Sequence, residues 1–284
     1  MSARLPVLLP SAERLARTAL DERREGWRLR LSAQQGGALC AAFVAGCAIA
    51  QAQTPAGYPS IVETIWKWTP LLARGFVFNL AISFMAMGIG TVAGLFLGFA
   101  QISLLKPVRK SARFATHFFR NAPWLVLLFY CMFLIPFETT LFGVRIPIPD
   151  WTKATLGLAL PVMANVSEIL RGAVQSIPTT QWEAAASLAF TRRQSMWMII
   201  FPQCVKRMLP PWMNLYAILT MATVLASIVG VNEMMTLTQR ALSAENRPGL
   251  LLSFYSYVLL WFFVYCYPIA RWTVRLEARY AVNQ

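Results

Sequence analysis

The sequence predicts an all-α polytopic membrane protein, and three observations carry that prediction. Of the 284 residues, 57% are hydrophobic and only 13% are charged, with a mean hydropathy of +0.51. A soluble domain carries about 25% charged residues. Apolar runs recur along the chain, separated by short polar segments. Lys and Arg gather in alternate polar segments, as positive-inside topology requires. The formal net charge of +14, from 26 Lys and Arg against 12 Asp and Glu, would also suit nucleic acid. Its alternation assigns it to membrane orientation, and no nucleic-acid partner is expected.

Residues 1–36 form a basic N-terminal segment. Leu15, Ala19 and Leu20 alternate with Arg14, Arg17, Arg23 and Arg24. This reads either as a helix on an anionic leaflet or as a basic tail. Residues 37–53 are the first apolar run, short beside the roughly 17–25 residues a span needs. Val44-Ala45-Gly46-Cys47 resembles a lipoprotein cleavage box, and Ala48-Ile49-Ala50 a signal-peptidase site. The segment before them is far longer than an ordinary n-region, so the run reads as an uncleaved extra N-terminal span. Thr54 to Arg74, with Trp66 and Trp68, reads as interfacial.

The main domain covers residues 70–284. Gly75 to Ser103 is a long span in which Gly90, Gly94 and Gly98 share one face. Small residues at that spacing permit close helix packing, within the subunit or against a second one. A basic loop follows, with Lys106, Arg109, Lys110, Arg113 and Arg120. Ala122 to Phe137 is the third span, Glu138 to Trp151 an outer loop, and Thr152 to Arg171 the fourth span. Glu168 and Arg171 stand at i,i+3 and can pair, either as a helix-end ion pair or as a gating contact. Residues 212–231 and 250–269 are the fifth and sixth spans. Arg271, Arg275 and Arg279 make a basic tail. The five cysteines and His117 show no metal or redox spacing, so no metal site is expected.

Between the fourth and fifth spans lies a polar-edged loop, residues 180–203. Thr180 precedes Glu183 by three positions, and Thr191 precedes Gln194 by three. Each pair has the form of a capping box. The loop therefore reads as two short helices, roughly 181–189 and 192–201, broken at Ala189-Phe190, with Pro202 blocking continuation.

Glu183-Ala184-Ala185, Ile199 and Pro202 resemble the EAA loop of bacterial ABC importer permeases. Ala189 stands where that pattern has Gly, and Phe201 where it has Leu. Ala at a left-handed position costs on the order of 1 kcal/mol. Flanking residues extend the likeness to the polar-amino-acid branch. Glu168-Ile169-Leu170-Arg171-Gly172 with Gln175-Ser176-Ile177-Pro178 follows that branch's pattern, and Asn214, Gly230 and Glu233 fall on its positions. Where the branch carries Lys-Asp-Thr-Ser-Leu beside the solute path, this chain has Met221-Ala222-Thr223-Val224-Leu225. Met221, Ala222 and Thr223, together with Glu168 and Arg171, are therefore the gate or pathway candidates, with Thr223 the main polar group offered.

The resemblance implies the small type I importer permease fold, with five core transmembrane helices plus the extra N-terminal helix here. It implies a coupling role for the 180–203 loop, two ABC ATP-binding subunits, a second permease subunit, and a periplasmic solute-binding protein. The missing Lys-Asp pair reads in one of three ways: Met and Ala simply repack a structural site, the second permease is non-identical and supplies the polar contacts, or the solute is less polar. No Walker-type phosphate loop or catalytic triad is present in the sequence. The chain is thus expected to be no enzyme and to need no cofactor of its own, ATP being bound by the partner. With the N-terminus inside and six spans, twenty of the 26 Lys and Arg lie inside and six outside. Both termini and the EAA-like loop then face the cytoplasm of a bacterial inner-membrane protein. An ATPase-independent channel or secondary carrier, or an exporter or scaffold half, are the alternatives. The first is disfavoured by the near absence of carboxylates within the spans.

Overall fold

The computed structural model describes residues 59–141 and 144–280. The expected basic segment 1–36, the extra span 37–53, and Cys40 and Cys47 lie outside the described residues. Helix α1 runs Ile61–Gln101. It is capped by Ser60, whose hydroxyl accepts from the Glu63 amide at 3.2 Å. The segment read as interfacial is thus largely the start of this 41-residue helix, which has Pro70 in its interior. Lys67 Nζ and Trp68 Nε1 each donate to Glu245 Oε1 at 2.8 Å, tying that end down.

Helix α2, Lys106–Asn121, is strongly amphipathic. Pro123 then turns the chain, and α3, Trp124–Leu134, leaves at 105° to α2. At 11 residues, α3 is about 16 Å long, too short to cross a membrane alone. The expected third span, 122–137, is therefore not one full-length helix: its helical part is α3, joined to α2 through a sharp bend. Strands β1, Glu138–Leu141, and β2, Val144–Pro147, form an antiparallel hairpin with Thr140 opposite Arg145. This is a small departure from the all-α expectation. Adjacent Thr139 and Thr140, with Val144 and Ile146, favour extended backbone.

Helix α4, Asp150–Gln175, is the centre of the bundle and packs on α1, α2 and α3. Leu158, Val162, Val166 and Leu170 along it are completely buried. After α5, Thr179–Ser187, comes α6, a continuous helical stretch Arg192–Ser227. Helix α7 is Met234–Glu245, and α8 is Leu250–Tyr280. By length and composition α1, α6 and α8 are able to cross a membrane; α2 and α3 reach that length only when counted together across their bend, as a broken span or a re-entrant loop. Helix α4 does not meet that criterion. Most of its surroundings are protein rather than lipid, so its sequence need not be uniformly apolar.

The glycine face of α1 packs within the subunit, against α4. A Cβ on Gly90 would lie 2.5 Å from Val162 Cγ1, one on Gly94 2.7 Å from the Met163 carbonyl oxygen, and one on Gly98 2.8 Å from Leu170 Cδ2. Gly88, by contrast, faces open space. Overpacking a close helix contact costs about 1–3 kcal/mol. Gly94→Ala is accordingly expected to lower the thermal unfolding temperature in detergent, because a backbone carbonyl cannot step aside. Gly88→Ala is expected to leave that temperature unchanged or slightly raised.

Candidate functional site

The loop between α4 and α6 folds as a compact, largely exposed unit. Helix α5 begins after Pro178, which occupies the N-cap position and makes no side-chain capping bond. The capping box expected from Thr180 and Glu183 is not formed. Pro178 starts the helix early, so Thr180 lies inside its first turn instead of at its cap. Glu183 is left exposed, and its carboxylate has no partner among the described residues. Ala185 is 1% exposed and Trp182 is half-buried, the latter against an apolar cluster that α4 and α6 share, with Leu170, Val174, Ile200 and Cys204 among its members. Ala184 and Leu188 point outward. The paired alanines therefore divide, one seating the helix and one presenting its surface.

The turn after α5 is left-handed at Ala189, with φ 56°. The Phe190 amide donates to the Ala185 carbonyl at 3.1 Å, and the Ala189 amide to that of Ala186 at 3.0 Å. These two bonds make a Schellman motif, whose C′ position favours Gly. The second expected capping box is present. The Gln194 amide donates to Thr191 Oγ1 at 3.4 Å, and the Thr191 amide to Gln194 Oε1 at 2.9 Å.

Pro202 does not end the second helix. Residues Ser195–Ile200 form a π turn, closed by the Phe201 amide donating to the Met196 carbonyl. The longer i→i−5 loop takes up the hydrogen bond and the space that Pro202 would otherwise disrupt. Ile199 is half-buried and Pro202 exposed. Arg207, on the same helix, reaches back to the end of α4. Its Nη1 donates to the Ser176 carbonyl at 2.6 Å and to Ser176 Oγ at 2.9 Å. Sequence reading gave Arg207 no role, since nothing local marks a contact spanning 31 residues.

Just above this loop the Glu168–Arg171 pair is formed, with Arg171 Nη2 2.7 Å from Glu168 Oε2. Arg171 also donates to Gln175 Oε1 at 2.7 Å. Arg120 of α2 joins at 3.7 Å from Glu168 Oε2, an addition the sequence did not reveal. Beside it, Gln101 Nε2 donates to Thr116 Oγ1 at 2.9 Å and to Ser167 Oγ at 3.1 Å, entirely buried. These contacts lock α1, α2 and α4 together at the loop end of the bundle.

The other candidate stretch separates. Met221 is 54% exposed and Ala222 half-buried. Thr223, expected from the sequence as the main polar group this helix offers to a solute path, is held inside the bundle here. It is 0% exposed. Its hydroxyl accepts from Asn79 Nδ2 at 2.9 Å and donates to the Thr220 carbonyl at 2.7 Å. Asn79 Nδ2 also donates to Glu233 Oε2 at 3.0 Å, while its Oδ1 accepts from the Met234 amide at 3.0 Å. Glu233 caps α7, accepting from the Met235 and Thr236 amides at 2.9 Å each. Thr223 therefore belongs to a latch joining α1, α6 and α7. A lone Asn in the apolar run Phe76-Val77-Phe78-Asn79-Leu80 was the available signal for it.

At the same end as this latch, a cavity of about 430 Å³ is lined by residues that include Arg74, Phe78, Asp150, Trp151 and Asn232. Helix α4 has 26 residues, so its Asp150 end is about 38 Å from its Gln175 end. Cavity and loop thus occupy opposite ends of the bundle. Among the described residues no cluster of His, Cys, Asp or Glu could hold a metal ion.

The left-handed Ala189 gives a direct test of loop strain. Ala189→Gly relieves about 1 kcal/mol at that position, partly offset by the greater freedom of Gly in the unfolded loop. Hydrogen exchange at the amides of 188–190 is expected to slow about two- to fivefold, and Ala189→Val to speed it.

Residues 90–279 match the family described as binding-protein-dependent transport system inner membrane component. The probable amino-acid ABC transporter permease protein YckA of Bacillus subtilis (strain 168) is 34% identical over 212 residues, covering 75% of this chain and 90% of that protein. The glutamine transport system permease protein GlnP of Escherichia coli (strain K12) is 28% identical over 217 residues, covering 76% and 96%. A crystal structure of an amino acid ABC transporter with histidines superposes with a TM-score of 0.67 at 27% identity, covering 76% of this chain and 97% of that one. The bundle has the type I importer permease fold. This chain belongs to the family of binding-protein-dependent transport system inner membrane components.

Proposed function

We propose that this chain is the transmembrane permease subunit of an ATP-driven importer for an amino acid or a related small polar solute. The observation that carries the reading is the build of the 179–200 loop. It presents Glu183, Ala184 and Leu188 outward, while Ala185, Trp182 and the Arg207–Ser176 contact fix it to α4 and α6. A surface so held transmits displacement into the bundle instead of folding away from it.

In this reading two ABC ATP-binding subunits bind ATP and dock on that loop in the cytoplasm. A second permease subunit completes the pathway, and a periplasmic solute-binding protein delivers solute at the cavity end. ATP-driven closure pulls the loop, α4 and α6 together, and the bundle alternates its access. Glu168, Arg171 and Arg120 lie where α4 meets the loop and would change partners in that step. The second permease is non-identical here, because Met221 and Ala222 leave polar contacts with solute to another chain. The chain lies in the bacterial inner membrane with both termini inside. The supporting observation is that twenty of its 26 Lys and Arg then fall on the cytoplasmic side.

Two measurements test this. Glu183→Lys removes no hydrogen bond or cap from α5, so the variant is expected to fold and insert normally. It is expected to lose most solute-stimulated ATP hydrolysis, or to lose its ATPase on purification. Normal coupling in a normally assembled complex would remove the docking assignment. For orientation, a reporter active only outside the cytoplasm is expected to give signal when fused after Glu138 or Arg240, and none after Lys110, Arg193 or Gln284. Signal at Arg193 would place the loop on the wrong side.

A further inference from the structure

Helix α2 carries three distinct stripes. Lys106, Lys110, Arg113 and His117 recur at i, i+4, i+7 and i+11 and are all exposed. That spacing sets them along one side of the helix. Phe114 and Phe118, 74% and 56% exposed, form a second stripe a quarter-turn away, their rings stacked with centroids 6.4 Å apart. Ala112 and Thr116 make the third stripe, buried against the rest of the bundle. No acidic residue occurs in Lys106–Asn121. Two further cations lie off this stripe: Arg109 is half-buried, and the half-exposed Arg120 reaches Glu168 at 3.7 Å.

The placement of the helix gives these stripes a meaning. It is bent by 105° from α3, so when α3 enters the bilayer α2 lies across its entrance. Exposed apolar side chains also flank the helix. Leu104 and Leu105 precede α2, and Val126, Tyr130 and Phe133 follow on α3, all largely exposed. A helix with an aromatic side, a basic side and no acid is built to lie in the headgroup layer. Its basic side then faces phosphates rather than bulk water, and its phenyl rings reach the acyl chains.

We propose that α2 is a binding surface for anionic phospholipid headgroups. Lys106, Lys110 and Arg113 contact the phosphates, and Phe114 with Phe118 anchors the helix at the acyl boundary. Charge complementarity selects this occupant. A cation near an anionic leaflet adds on the order of a fivefold preference at low salt, and an uncharged headgroup offers no such gain. Binding here bears on the rest of the subunit through Arg120, because the helix that holds the lipid also holds the Glu168 cluster of α4. The inference rests on the membrane placement of the bundle and not on which solute crosses it or whether an ATPase docks.

The test uses the full-length chain, purified with whatever subunits accompany it, in nanodiscs of equal phosphatidylglycerol and phosphatidylcholine. Phe114→p-benzoylphenylalanine places a photo-crosslinker on the aromatic stripe, and mass spectrometry counts the two lipid adducts. Phosphatidylglycerol adducts are expected to exceed phosphatidylcholine adducts severalfold in low salt. The ratio is expected to fall toward one in 0.5 M salt, where screening is nearly complete. Adding Lys106→Gln, Lys110→Gln and Arg113→Gln is expected to collapse it at low salt, while Arg271→Gln with Arg275→Gln leaves it intact. A ratio near one in the unmutated background overturns the proposal, as do adducts to protein only. So does a preference that survives the triple substitution and high salt. Because the salt series needs no charge substitution, misfolding of the triple variant would not decide the result. Neither readout depends on transport or ATP hydrolysis, so failure here is distinct from failure of the importer reading.

Discussion

The bundle depends first on how closely α1 lies on α4. Gly90, Gly94 and Gly98 let the two backbones approach until Val162, Val166 and Leu170 sit where side chains would otherwise stand. Within a bilayer no hydrophobic force draws helices together, because lipid tails are as apolar as Leu. Close packing of small residues has to supply the attraction. With α4 held against α1, its remaining sides receive α2, α3 and α6. A central helix shielded from lipid can then carry Asn165, Glu168 and Arg171, which a lipid-facing helix of the same length could not carry cheaply.

Polar groups sit at the two ends of this arrangement and most are answered within the protein, Gln101 Oε1 being an exception without a hydrogen-bond partner among the described residues. At the loop end, Gln101, Thr116 and Ser167 bond to one another beside the Glu168–Arg171–Arg120 cluster. At the cavity end, Asn79 answers Thr223, Glu233 and the Met234 amide together. Each set joins three elements. Between them the core is apolar, built on Ile82, Leu128, Leu158 and Leu219. The molecule thus has two hydrogen-bonded ends and a mostly apolar middle crossed by few side-chain bonds, among them Trp212 Nε1 to Thr91 Oγ1 at 2.9 Å and Tyr216 to Tyr265 at 2.8 Å. A rigid-body shift of the loop would be passed along a middle with few directional bonds to break.

What the sequence disclosed follows the range over which each interaction acts. The Thr191–Gln194 box, the Glu168–Arg171 pair and the left-handed strain at Ala189 are local, and their spacing alone revealed them. The glycine stripe was equally visible, although its partner helix was not. Thr180 misled because Pro178, two residues earlier, started the helix before the threonine could cap it. Pro202 misled because a π turn, which leaves no mark in residue spacing, absorbed its missing donor. The bond of Thr223 to Asn79 left no local mark because the two are 144 residues apart. Arg120 and Arg207 escaped notice for the same reason.

One dimension of the fold bears on the bilayer itself. With 41 residues, α1 is about 60 Å long, against a hydrocarbon layer of roughly 30 Å. Even a 40° tilt leaves its projection near 46 Å. No reasonable slant can hide the mismatch, so part of the helix must stand clear of the lipid tails. Trp66, Lys67 and Trp68 lie in its first two turns, and the link to Glu245 holds that part in place. Hydrophobic length matching therefore cannot set how α1 slants. Its packing on α4 sets the angle, and a membrane a few ångströms thicker or thinner meets the same helix at a different height.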